Sequence, residues 1–139
     1  MKKVRLILAT TLTVLLCFTG CDKDIRGKYV GDWEFVTEID SNQFDYDLYK
    51  WILLGFDTIS YSGKIIYGEH NDELIIQYTE QNEVTAWVNH NGNLWTSVYR
   101  TSTRSRHGYF EETNKMYLTL SYSKYGGFLT DHYIIGTKK

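Results

Sequence analysis

The sequence predicts an all-β domain, an antiparallel up-and-down meander of about eight short strands in a lipocalin-like barrel or a sandwich. Three observations predict it. The 12 Tyr, 6 Phe and 4 Trp suit pleated, half-buried surfaces better than helices. Apolar and polar residues alternate with period two between short polar turns. No amphipathic stretch is long enough for a βαβ crossover, and the absence of proline leaves strand pairing uninterrupted.

Residues 29–39 open the domain as a strand, with Trp33, Phe35 and Thr37 alternating with Glu34, Val36 and Glu38. Residues 40–55 are the least regular part and mix acids with Phe44, Tyr46, Tyr49, Trp51, Ile52, Leu53 and Leu54. Within them, residues 49–54 read as a short helix capping one end of the fold or as a buried irregular crossing. From Phe56 the alternation is plain. Strands are predicted over residues 58–67, 73–79 (Leu74, Ile76 and Tyr78 facing together) and 84–89, then 94–101, 108–112, 115–123 and 128–137. Asn91-Gly92 is the strongest hairpin signal, since both central residues of a type I′ turn need positive φ. A two-residue turn there sets Val88 opposite Trp95 and Trp87 opposite Thr96. The two tryptophans then project from opposite faces, one of them into the core. Gly126-Gly127 makes the last tight turn.

The first 21 residues have a different character. Lys2, Lys3 and Arg5 precede an apolar run over residues 6–16, followed by Phe18-Thr19-Gly20-Cys21. This resembles the lipobox of bacterial lipoproteins, in which the cysteine is acylated and the leader then cut off. The apolar run is about half the roughly 20 residues needed to cross a bilayer, which disfavours an uncleaved anchor. Leu16 stands before Cys17 where a small residue is wanted, so Cys21 is the expected lipidation site. The resemblance implies a signal peptide over residues 1–20, a lipidated tether over 21–28 and a folded domain over 29–139. It also implies a membrane partner through the lipid, in the bacterial cell envelope and chiefly the outer membrane.

Cleavage removes 20 of 139 residues and three of the 15 basic side chains, leaving 12 basic against 17 acidic. The remaining 119 residues suffice for one domain. Their acidity disfavours nucleic acid or an anionic membrane surface as the main partner. Both cysteines lie at or before the cut, so the body has no disulfide. It must stand on its hydrophobic core, and it is expected to be a monomer.

Gly31-Asp32-Trp33 at the start of the first strand resembles the Gly-x-Trp of lipocalin-type barrels, where the tryptophan closes the barrel floor. The chain is shorter than typical lipocalins and has no arginine in its last strand, where many of them set one against that tryptophan. With YVGDWEF early and GTKK at the end, it is also similar to small lipoproteins of Gram-negative anaerobes.

No catalytic, metal or cofactor site is predicted. His70, His90, His107 and His132 are scattered and lack zinc-ligand spacing. The acids from Asp40 to Asp47 are out of phase with a calcium loop, in which Phe44 takes a ligand position. Glu111 and Glu112 are adjacent and point to opposite faces of a strand, as do Asp131 and His132, so neither pair can flank one bond. Ser62-Gly63 lacks the nucleophile elbow of hydrolases. Arg100, Arg104 and Arg106 form the basic cluster that could receive a phosphate, a sugar acid or an acidic partner. Trp87 and Trp95 are the candidate stacking platforms. The sequence thus points to a lipid-anchored, non-catalytic binding protein for a small apolar or glycan ligand or a partner protein. The alternatives are an interaction lipoprotein with a filled core and, well behind, an envelope hydrolase.

Overall fold

The computed structural model describes residues 24–96 and 105–139. They form one closed barrel of eight antiparallel strands, each paired with the next, with the last returning to the first. The strands are β1 (Gly31–Asp45), β2 (Lys50–Tyr67), β3 (Glu73–Gln77), β4 (Glu83–Val88), β5 (Asn93–Thr96), β6 (Ser105–Glu111), β7 (Lys115–Lys124) and β8 (Phe128–Lys138). The expected class therefore stands, and of its two forms the chain adopts the barrel.

Alternation sends every second residue inward. Trp33 and Phe35 on β1, Ile65 on β2, Leu74 and Ile76 on β3, Ala86 and Val88 on β4 fill one half of the interior. Leu94, Phe110, Met116, Leu118, Leu120 and Ile134 fill the other. Two glycines make room for the largest rings. A Cβ on Gly136 would lie 2.9 Å from the Phe35 ring, and one on Gly63 would lie 2.0 Å from the Gln77 carbonyl oxygen. The body from Asp24 onward thus encloses its own core.

One end of the barrel is closed. A 3-10 helix (Ile25–Lys28), capped by the Asp24 carboxylate, precedes β1. Tyr29 behind it stacks on Phe110 at 3.7 Å between ring centroids. Trp33 is fully buried, and its indole N–H donates to the Tyr29 carbonyl at 2.8 Å. β8 sets Lys138 in register with Trp33, and its ammonium donates to the Lys28 carbonyl. Arg26 is buried on this floor, donating to the carbonyls of Gly68, His70 and Glu73 and pairing with Asp24. Charged hydrogen bonds of this kind are the strong ones. They pin the start of the domain to the floor.

Two expectations are corrected. Residues 49–54 form neither a helix nor a buried crossing. β1 and β2 run on as a hairpin far past the rim, paired from Gly31↔Ile65 to Asp45↔Lys50 with one bulge at Ser41/Asn42. Apolar residues on both faces hid the period-two pattern there. The second correction is a register. Trp87 pairs with Trp95 and Val88 with Leu94, so the tryptophans share a face. The loop holds three residues, not two. Asn89 Oδ1 accepts from the Asn91 and Asn93 amides, the Gly92 N–H donates to the Asn89 carbonyl, and Gly92 has φ 76° while Asn91 stays outside the positive region. This is the three-residue hairpin with a left-handed glycine. One extra loop residue turns the opposing strand over.

Candidate ligand site at the barrel mouth

Toward the end opposite the floor, the barrel carries a buried polar layer above the apolar core. Tyr78 leaves β3 inward and is held by a tight turn, in which its N–H donates to the Asn82 carbonyl and Thr79 Oγ1 accepts from the Asn82 amide and side chain. Its hydroxyl lies 3.1 Å from Tyr122 Oη on β7 and 3.1 Å from His132 Nδ1 on β8. Tyr122 and His132 are neighbours with ring centroids 4.9 Å apart. Two further hydroxyls are buried in the barrel interior. Thr37 on β1, opposite Ile134 and one inward step below His132, is fully buried, and Thr96 on β5 is 1% exposed. Neither Oγ1 has a hydrogen-bond partner among the described residues.

Burial sets the protonation of this layer. It pushes the Tyr78 phenol far above its ordinary value, an effect strengthened by the hydrogen bond to Tyr122. It lowers His132, outweighing the attraction of Asp131. A neutral imidazole beside a protonated phenol is a set of fixed donors and acceptors.

Of the predicted site residues, Trp87, Trp95 and the backbone of Arg106 are among the described ones. Cys21, Arg100 and Arg104 lie outside the described residues. Arg106 lies on β6 with its backbone in register with Trp95. The register thus sets Trp87, Trp95 and Arg106 in one cross-strand row, with both tryptophans half-buried on the outer face, opposite to inward Ala86, Val88 and Leu94. His70 and His90 sit on exposed floor turns. No group of three potential metal-ligating side chains occurs among the described residues. The acids of residues 40–47 have a local task, since Asp45 Oδ1 accepts from the amides of Asp47 and Leu48 at the hairpin tip.

The sequence reading missed the Tyr78–Tyr122–His132 cluster. The signal was present: Tyr78 shares a face with Leu74 and Ile76, Tyr122 with Leu120, and His132 with Ile134. What alternation could not supply was the register that brings the three together across the barrel.

The chain matches no protein-family model and no curated protein. Among solved structures it is similar to the ywiB protein from Bacillus subtilis, at 10% identity with a TM-score of 0.37, over 82% of this chain and 98% of that one.

Proposed function

We propose that this chain is a lipid-anchored, non-catalytic binding protein of the bacterial envelope whose barrel mouth takes a small glycan-type ligand. One observation carries the reading: the barrel buries a hydrogen-bonded Tyr78–Tyr122–His132 cluster, and the buried Thr37 and Thr96 hydroxyls have no partner among the described residues. An unpaired buried hydroxyl costs about 1–3 kcal/mol, and a ligand with hydroxyl groups of its own would supply the missing bonds. The apolar half of the interior is filled by Trp33, Phe35 and their neighbours, which favours a polar ligand at the mouth over a long apolar one.

The lipid anchor rests on the Cys21 pattern. Cys21 precedes Asp24 by three residues, about 10 Å of chain at most, and Asp24 caps the helix held on the floor. An acylated Cys21 would keep the floor toward the membrane and turn the mouth away from it.

Calorimetric titration of the body (residues 22–139) with mono- and disaccharides, and separately with a medium-chain fatty acid, tests the reading. A saccharide is expected to bind and to lose affinity at least tenfold in Thr37→Val and Tyr122→Phe. Saturable binding of the fatty acid alone would replace the glycan reading with the apolar one. If nothing binds and Thr37→Val simply raises the melting temperature, the interior is a filled core and the protein is an interaction lipoprotein.

A further inference from the structure

The mouth site makes no use of the hairpin that β1 and β2 raise past the barrel rim. From Lys50 to Gly63, β2 pairs with β1 alone, because its pairing with β3 begins only at Lys64. The β3–β4 turn stands off from this edge across a cleft of about 410 Å³, lined by Tyr61, Gln77 and Thr79 among others. Among the described residues, the outer edge of β2 is therefore without a strand over this span.

The same segment is apolar and uncovered. Trp51, Ile52, Leu53 and Leu54 are consecutive and 50%, 37%, 58% and 56% exposed, and Phe56 is 61% exposed. Successive strand residues point to opposite faces, so both faces of the hairpin are bare there. The segment is nonetheless built structure. Phe44 packs edge-on against Tyr46, Tyr49 and Trp51, and its N–H donates to the Gly127 carbonyl of the β7–β8 turn at 2.7 Å.

We propose that this edge pairs with the same edge of a second copy, forming an antiparallel β2–β2 dimer about a two-fold axis normal to the sheet. Exposed strand edges are templates for pairing and are ordinarily blunted by charge or proline. Residues 51–56 contain neither. The run has Lys50 at one end and Asp57 at the other, so antiparallel pairing brings the basic end of one copy to the acidic end of its partner. A two-fold contact needs such a self-complementary surface. Eight large side chains of the hairpin (Tyr46, Leu48, Tyr49 and Trp51 through Phe56, omitting Gly55) are exposed by 37% or more. Pairing of the edges would set the side chains of residues 51–56 beside their counterparts on each face, as cross-strand neighbours in one continuous sheet. A bilayer suits the segment less well, because Asp45 and Asp47 lie at its very tip.

Sedimentation equilibrium of the body (residues 22–139), with amide hydrogen exchange, tests the proposal. Twice the monomer mass is expected for the unmodified chain, with amides of residues 51–56 exchanging slowly in concentrated samples and quickly on dilution. Leu53→Lys and Phe56→Lys, both remote from the barrel core, should give monomers with unchanged melting temperatures. A monomeric unmodified chain up to submillimolar concentration would overturn the proposal, as would a dimer that survives both substitutions. Flotation of that monomer with phosphatidylcholine–phosphatidylethanolamine vesicles, lost in the same variants, would instead assign the hairpin to a lipid surface.

Discussion

Trp33 and His132 mark the two ends of the barrel and respond to opposite kinds of change. Trp33 is fully buried, stacked near Phe35 and tilted against Phe110. Trp33→Ala should cost roughly 3–5 kcal/mol, as removal of a large buried aromatic does. A denaturant melt checks this, and an unchanged midpoint would contradict the closed floor. His132 sits in the polar layer with Tyr78 and Tyr122 facing it and Asp131 beside it, its basicity lowered from 6.5 by burial. The unfolded chain therefore binds a proton more readily than the folded one as the pH falls through 6.5. Stability tied to the neutral ring is complete above that value and is lost below it. Urea midpoints measured from about pH 8 to about pH 5 should fall in the native chain, and the decline should be shallower in His132→Gln. Of these two residues, Trp33 was legible in the sequence through Gly31-Asp32-Trp33. His132 was not, because Tyr78 lies 54 positions away and meets it only across the barrel, while Tyr122, 10 positions away, is set beside it by the β7–β8 register.

At the scale of elements, the sequence told most where one face of a strand is buried. The strands from β3 to β8 were anticipated within a few residues because their inward positions are mostly apolar, residues 97–101 of the predicted 94–101 strand lying outside the described residues. Alternation failed at residues 40–57 for a physical reason. A hairpin bare on both faces has no inside, and its aromatics serve each other or a partner in place of a core. The β4–β5 hairpin was located correctly and given the wrong register, since Asn91-Gly92 is compatible with loops of two or three residues. The Asn89 side chain decides between them by accepting both amides. Gly92 carries the positive φ, and a Cβ there would lie 3.0 Å from Tyr29 Oη. Gly92→Ala should thus destabilise the domain by about 1 kcal/mol or more, beyond any gain from a stiffer unfolded chain. A similar replacement at exposed Gly55, where a Cβ meets no atom within 4 Å, should change the thermal midpoint far less.

The whole molecule is organised along one axis. The floor gathers the helix, Tyr29, Trp33 and Arg26, and the mouth gathers the polar layer. β1 alone, Gly31–Asp45, extends about 45 Å from the floor to the hairpin tip at 3.3 Å per residue. In the proposed envelope setting, a lipid on Cys21 fixes this axis relative to the membrane. Cys21→Ala should then abolish incorporation of a fatty-acid probe and removal of the leader, whereas Cys17→Ala should leave both intact. Persistent labelling of the Cys21 variant would contradict the anchor.

The central claim is that the polar layer at the mouth is where this protein binds. Backbone amide chemical-shift mapping of the body, titrated with the saccharide that binds best by calorimetry, tests it most directly. The account predicts saturable shifts concentrated at Thr37, Tyr78, Thr96, Tyr122 and His132. Shifts centred on Trp87 and Trp95 on the outer face, or none anywhere on the barrel, would contradict it.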